Sequence, residues 1–247
     1  MARIKAVILA AGKGTRMKSE LPKVLHKACG KPMVEYSIEA AHSAGADFDD
    51  IILVVGHKAE LVKETVGDKV KYVMQEEQLG TGHAVKCASD FIGKEGITMV
   101  LCGDTPLITG NTLKKLVDTH IAEGNAITVL TAVVDDPTGY GRIIKDSWGK
   151  FVKIVEQKDA TLEEQRVDEI NSGMYLFDSA VLSEALDKIT NDNAQGDYYL
   201  TDTIEIVKSE NLGTVATMTV DDINEIKGVN SVDQLAEAEE ILKQRLG

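Results

Sequence analysis

Short runs of β-branched and aliphatic residues alternate along this chain with stretches of helical periodicity, and that alternation restricts the fold more than any other feature. The runs cover residues 4–10, 51–55, 70–74, 97–101 and 126–134. Each is apolar almost throughout, as a strand covered on both faces must be, and repeated strand–helix–strand units build parallel sheets. Between the first two runs, Val34, Ile38 and Ala41 keep helical spacing. Pro32 is suited to that helix's first turn and Gly45 to a left-handed stop. Residues 109–123 repeat the design, with Leu113, Leu116 and Val117 on one face and Gly124-Asn125 as the stop. The expected fold is an α/β, Rossmann-like, mostly parallel sheet with helices on both faces.

From Asp135 the pattern changes. Asp135-Asp136-Pro137-Thr138-Gly139-Tyr140-Gly141 is rich in turn formers, and residues 142–145 and 151–155 flank Asp146-Ser147-Trp148-Gly149 as a hairpin. This segment reads as a smaller sub-lobe. Residues 173–177 and 214–220 are further strand candidates, and residues 231–246 form a C-terminal helix whose Ser231 and Gln234 have capping-box spacing. The 247 residues, 43% of them hydrophobic, suffice for one large core. The expected division is one α/β domain over 1–229 and a C-terminal helix over 230–247.

No apolar stretch approaches the ~18 residues of a membrane span, and the segment from Met1 to Lys5 runs into a strand without a signal-peptide pattern. The expectation is a cytoplasmic chain with no membrane partner. Cys29, Cys87 and Cys102 are odd in number and widely spaced, so they indicate neither a disulfide framework nor a zinc site and are expected as small buried residues. A net charge of -13 excludes general nucleic-acid binding, which selects basic surfaces. Residues 1–31 nevertheless carry eight Lys or Arg against one acid, Glu20. That local excess suits a small anionic ligand, and equally suits a solvated surface.

The segment Ala6-Val7-Ile8-Leu9-Ala10-Ala11-Gly12-Lys13-Gly14-Thr15-Arg16-Met17 is a buried strand running into a glycine turn with cations. Glycine lets backbone N–H groups approach a phosphate closely. Met17 stands where the dinucleotide fingerprint needs its third glycine, and the Walker spacing is not met, so neither of those phosphate loops is indicated. Lys23 follows the rigid Pro22 and can reach the same phosphates, or serve as a plain surface charge. Asp104 follows the run 97–101, and ligands of open α/β sheets collect at the carboxyl ends of strands. A carboxylate there suits Mg²⁺, which takes few protein oxygens and completes its shell with water and phosphate; an Asx-turn ahead of Pro106 is the plain alternative. The loop from Gln75 to His83 offers amide, hydroxyl and backbone groups able to read a base edge. His83 lacks a metal-binding companion and reads as a helix-start or core histidine.

Together these residues resemble the uridylyltransferase domain of bacterial N-acetylglucosamine-1-phosphate uridylyltransferases, in the sugar-nucleotide pyrophosphorylase superfamily. The resemblance runs from Val7 to Asn230. It is carried by Leu9-Ala10-Ala11-Gly12-Lys13-Gly14-Thr15-Arg16-Met17, Leu21-Pro22-Lys23-Val24-Leu25-His26 and Gln78-Leu79-Gly80-Thr81-Gly82-His83-Ala84. Further on it is carried by Asp136-Pro137-Thr138-Gly139-Tyr140-Gly141-Arg142, Glu169-Ile170-Asn171-Ser172-Gly173 and Gly228-Val229-Asn230. The first piece indicates the superfamily and the later ones the N-acetylglucosamine branch.

The resemblance implies that Leu9, Ala10, Ala11, Gly12, Arg16 and Lys23 hold a triphosphate, Arg16 and Lys23 being catalytic, while Gln75, Gly80 and Thr81 recognise uracil. It implies that Gly141, Glu156, Asn171 and Asn230 bind the amino sugar, with Mg²⁺ on Asp104 and Asn230. The implied reaction is transfer of UMP from UTP to N-acetylglucosamine 1-phosphate, giving UDP-N-acetylglucosamine, a peptidoglycan precursor, and pyrophosphate. The nucleophile is already an anion, so bringing two polyanions into line with the help of cations is the main task. Two other readings stand beside it: a nucleotidyltransferase for glucose 1-phosphate with UTP or dTTP, and a non-catalytic nucleotide-sugar sensor. Two departures matter. Cys102 stands where many relatives carry tyrosine. The relatives also continue into a left-handed β-helix that bears an acetyltransferase and forms trimers, so this sequence is expected to give a monomer or weak dimer without that activity.

Overall fold

The computed structural model describes residues 2–246. Its elements begin with β1 (Ile4–Ala10), the two-residue strands β2 (Lys27–Ala28) and β3 (Lys31–Pro32), α1 (Met33–Ser43), β4 (Ile51–Val55), α2 (Ala59–Val66) and β5 (Lys71–Met74). There follow α3 (Thr81–Lys86), α4 (Ser89–Ile92), β6 (Ile97–Cys102), α5 (Gly110–Glu123) and β7 (Ile127–Val133). The last third holds β8 (Arg142–Lys145), β9 (Phe151–Val155), β10 (Glu169–Asp178), α6 (Ser179–Leu186), α7 (Asp202–Ser209), β11 (Val215–Thr219) and α8 (Val232–Leu246). All five apolar runs of the first half are strands, with ends within a residue of those expected.

The main sheet has the order β11-β7-β10-β6-β1-β4-β5. Strand β1 pairs in parallel with both β4 and β6, and β5 and β11 join their neighbours in parallel. Alternating side chains feed two cores. Ala6, Ile8 and Ala10 point to the face covered by α1, α2 and α5, while Val7 points to the face covered by α3, α4, α6 and α7. Period-two alternation therefore places helices on both faces, and each buried aliphatic side chain such as Ile8 or Val7 contributes roughly 1.5–3 kcal/mol. A mid-strand charge at position 8 would have no partner in that core.

From β1 the chain steps to β4 and β5 on one side, then crosses to β6 on the other. This reversal opens a crevice at the carboxyl ends of β1 and β6. Leu9 is in register with Cys102, and the Gly103 amide donates to the Leu9 carbonyl at 2.9 Å. The glycine loop and Asp104 thus leave the sheet side by side.

The antiparallel part was less legible. The expected strand 173–177 is the end of the ten-residue β10, which runs antiparallel between β6 and β7 with an irregularity between Asn171 and Tyr175. The hairpin β8–β9 is present as expected, antiparallel, and touches β10 where Ile170 pairs with Arg142. Pro32 lies just ahead of α1 rather than inside its first turn. Gly45, at φ +115°, follows that helix, and the Ala46 amide bonds back to the Ala41 carbonyl.

Helix α8 buries Ala238 and Leu242 against Ala28, Met33, Leu107 and Val229. Ser231 Oγ accepts from the Gln234 amide at 3.3 Å, but the return bond of the capping box goes one residue early, from the Asn230 amide to Gln234 Oε1 at 2.8 Å. Gly247, the last residue of the expected helical segment, and Met1 lie outside the described residues. The three cysteines are half-buried rather than buried, and all are free thiols. No helix among the described residues is long and apolar enough to cross a membrane.

Candidate active site

The loop after β1 is shaped by two glycines with different tasks. A Cβ on Gly12 would meet nothing within 4 Å, so its backbone borders open space. Gly14 is at φ +60°, and a Cβ there would stand 2.5 Å from the Cβ of Lys23. The positive φ and the Lys23 stem each require glycine there, the first a reason expected of such a loop and the second a packing reason that the sequence did not show. Met17, in the place of a third fingerprint glycine, is 2% exposed and anchors the loop in the core while Arg16 beside it faces solvent.

Four predicted residues from three distant parts of the chain meet here. The Lys23 ammonium contacts Asp104 Oδ2 and donates to Asn230 Oδ1 at 2.9 Å. Arg16 donates to the same Asn230 oxygen at 2.8 Å. The Lys23 and Asp104 side chains keep 15% and 20% of their exposure, enough screening from water for the pair to matter and enough opening for a ligand to reach it.

One cavity borders this cluster and a second adjoins the first. The first, of about 320 Å³, is bordered by Leu9, Ala10, Ala11, Gly12, Lys23, Gln75, Gly80, Thr81 and Asp104. The second, of about 220 Å³, is bordered by Gly141, Glu156 and Asn171. Leu9, Thr81 and Cys102 border both, so the two form one continuous cleft. Every residue that the resemblance assigned to a substrate or metal borders this cleft except Arg16 and Asn230, which join it through Lys23.

In the first cavity Gln75 is 3% exposed and held by its amide nitrogen, which donates to the Gly80 carbonyl and to His83 Nδ1, each at 3.1 Å. His83 lies in the first turn of α3, the helix-start position expected of it, and is half-buried rather than core; there it also holds Gln75. Gly80, at φ +108°, approaches the chain so closely that a Cβ would stand 2.5 Å from the Tyr198 carbonyl. Thr81 Oγ1 accepts from the Leu200 amide at 3.1 Å.

In the second cavity the β8–β9 register brings Gly141 beside Glu156. A Cβ on Gly141 would lie 3.4 Å from Glu156 Oε2 and 3.5 Å from Asn171 Cβ. The Asn171 amide donates to the Gly141 carbonyl at 2.9 Å. Asn171 sits at the irregularity of β10, where its Oδ1 accepts from the Gly173 amide at 3.0 Å and its Nδ2 donates to the Tyr175 hydroxyl at 2.6 Å. Bulges re-aim side chains in this way. Burial pushes the Glu156 carboxyl above the usual carboxylate range, partly offset by the Thr201 hydroxyl, which donates to it at 3.1 Å. Burial pushes the Cys102 thiol up to about 12, so it borders the cleft as an uncharged group.

The sequence missed the segment that closes the cleft opposite the sheet. Asp197 borders the first cavity, and Leu200 and Thr201 the second. Gln78 borders the first as well. Nothing local marks residues 197–201; the nearest signal is the pair Gly80 and Gly82, each of which needs glycine because this segment lies against it.

Lys23 is itself a cation held between Asp104 and Asn230, so those two oxygens already converge on a position for positive charge. Among the described residues no three His, Cys, Asp or Glu side chains gather as a metal cluster. One carboxylate and one amide suit an ion that takes its remaining oxygens from water and phosphate, as Mg²⁺ does.

A family model described as nucleotidyl transferase matches residues 5–229. The chain is 56% identical over 246 residues to the bifunctional protein GlmU of Caldanaerobacter subterraneus subsp. tengcongensis, across 100% of this chain and 53% of the relative. The bifunctional protein GlmU of Thermoanaerobacter pseudethanolicus is 54% identical over 246 residues with the same coverage. That of Clostridioides difficile is 52% identical over 242 residues, across 98% of this chain and 52% of the relative. The chain spans about half the length of the curated relatives it matches.

Proposed function

The chain belongs to the nucleotidyl transferase family, and on that premise we propose that it transfers UMP from UTP to N-acetylglucosamine 1-phosphate, releasing pyrophosphate and forming UDP-N-acetylglucosamine. The observation that carries this reading is the convergence of Arg16, Lys23, Asp104 and Asn230 at a cleft formed by two adjoining cavities. A two-substrate reaction between polyanions needs that arrangement: a pocket for each organic group and cations beside the phosphates.

In this reading the backbone from Leu9 to Gly12 cradles the triphosphate, Gln75, Gly80 and Thr81 receive uracil, and Gly141, Glu156 and Asn171 receive the amino sugar. Asp104 and Asn230 hold Mg²⁺, which when bound neutralises phosphate charge between the two substrates. Lys23 and Arg16 stabilise negative charge developing on the α-phosphate and on the departing pyrophosphate. A phosphate oxygen of the sugar phosphate attacks the α-phosphorus in line and the bond to the pyrophosphate oxygen breaks. The attacking oxygen carries its charge already, so no side chain takes a proton. Residues 1–229 form the α/β domain of this scheme and supply every site residue but Asn230, which stands at the start of the C-terminal segment and is secured by α8 through Gln234.

The test is pyrophosphate release from the purified chain with Mg²⁺ over UTP, dTTP and CTP and over N-acetylglucosamine 1-phosphate and glucose 1-phosphate. Turnover with UTP and the N-acetyl sugar is the expected outcome. A preference for glucose 1-phosphate would replace the sugar assignment, and binding of UDP-N-acetylglucosamine without any pyrophosphate release would make the chain a sensor.

A further inference from the structure

The Gln75 amide uses both of its hydrogens on the protein. Nε2 donates to the Gly80 carbonyl and to Nδ1 of His83. Oε1 accepts from nothing among the described residues, and Gln75 borders the cleft. The side chain therefore offers a ligand one acceptor and no donor. Turning the amide over would set Oε1 against the Gly80 carbonyl, oxygen against oxygen, and would leave His83 Nδ1 facing an acceptor.

His83 is itself fixed. Accepting at Nδ1 requires the tautomer with hydrogen on Nε2, and Cys87 Sγ lies 4.0 Å from that nitrogen, one helical turn further on. Burial raises the Cys87 thiol above its ordinary range, which keeps it uncharged beside the ring. The His83 ring also lies against Tyr198, with centroids 6.3 Å apart.

We propose that His83 is a positioning residue for base selection: it holds the Gln75 amide so that only a hydrogen-bond acceptor faces the nucleotide. This rests on the reading above that the cavity beside Gln75 receives the base. An acceptor-only edge pairs with the N3–H of uracil or thymine. Cytosine, whose N3 is an acceptor, meets lone pair against lone pair, and sites built this way reject the mismatched partner strongly.

The test is the ratio of UTP to CTP affinity, measured by calorimetry with Mg²⁺ and without sugar phosphate. His83→Phe keeps a ring but has no acceptor, and the ratio is expected to fall about five- to tenfold, the scale of one net hydrogen bond. His83→Asn carries an acceptor near the place of Nδ1 and is expected to recover most of the ratio. A purely structural role would lower the melting temperature in both variants and leave the ratio alone. His83→Leu poses the same question if the Phe variant does not fold. An unchanged ratio in the variant lacking the acceptor, or a wild type that binds both nucleotides equally, overturns the inference. A wild type that prefers UTP, loses the preference in His83→Phe and yet releases no pyrophosphate upholds it while the activity reading fails.

Discussion

The stem of Lys23 occupies the space in which a side chain on Gly14 would begin, 2.5 Å from Cβ to Cβ. The loop glycine and the lysine therefore constrain each other, and the left-handed φ of +60° at Gly14 adds a second penalty for any other residue.

Gly14→Ala is accordingly expected to displace Lys23. Turnover should drop by about tenfold or more, and stability by about 1–2 kcal/mol from the left-handed backbone and the contact together. Pyrophosphate release and thermal melting measure the two effects. Undiminished turnover would show that the lysine's position does not depend on this glycine.

In the free chain Lys23 occupies the oxygens of Asp104 and Asn230, so a divalent ion has to compete with an ammonium group. Lys23→Met should therefore bind Mn²⁺ about tenfold more tightly in the absence of nucleotide, read by electron paramagnetic resonance, although its turnover falls by about 10²-fold or more. Asp104→Ala should lose metal binding and turnover together. Equal Mn²⁺ affinity in wild type and Lys23→Met would rule out the competition.

Thr201→Val removes the hydroxyl that donates to Glu156 and keeps the side chain's shape. The KM for the sugar phosphate should rise about three- to tenfold with kcat little changed, the pattern of a lost ground-state contact. The hydroxyl lowers the Glu156 pKa against the upward push of burial, so its removal raises that pKa further. The loss of sugar affinity on acidification should then begin at a higher pH in the variant. Overlapping pH profiles would count against a role for Glu156 in sugar binding.

Asp202, at the start of α7, has a carboxyl raised from 3.8 to about 6, first by half-burial and then by Glu205, Glu156 and Asp159. Between those values the folded chain holds a proton that the unfolded chain has released, so this group's contribution to stability declines as pH rises through the window and stays at its lower level above it. Asp202→Asn should melt higher than wild type at pH 8, with the difference vanishing near pH 4. A pH-independent difference in melting temperature would contradict the assignment.

The parallel half of the sheet was legible because each of its strands is buried on both faces, which leaves an uninterrupted apolar run that local pattern reveals. Strand β10 was only partly legible, because Asn171, Ser172 and Gly173 break the apolar run at the place where the chain bends to aim Asn171 at the cleft. The place of His83 at a helix start was legible, but its contact with Gln75 was not, because the two are neighbours only once the loop has folded against Tyr198.

The alternation of strands and helices and the glycine loop were written in the sequence, since they depend on residue type and short-range periodicity, whereas the roles of Arg16, Lys23 and Asp104 came from the family resemblance, local pattern having left each with a plain alternative. The contacts of Lys23 with Asp104 and Asn230, of Thr201 with Glu156 and of His83 with Gln75 emerge once the chain has folded. Those contacts join residues whose separation in space is set by strand order and by a crossover at the sheet's point of reversal, and no local pattern of side chains encodes the path of the chain between them.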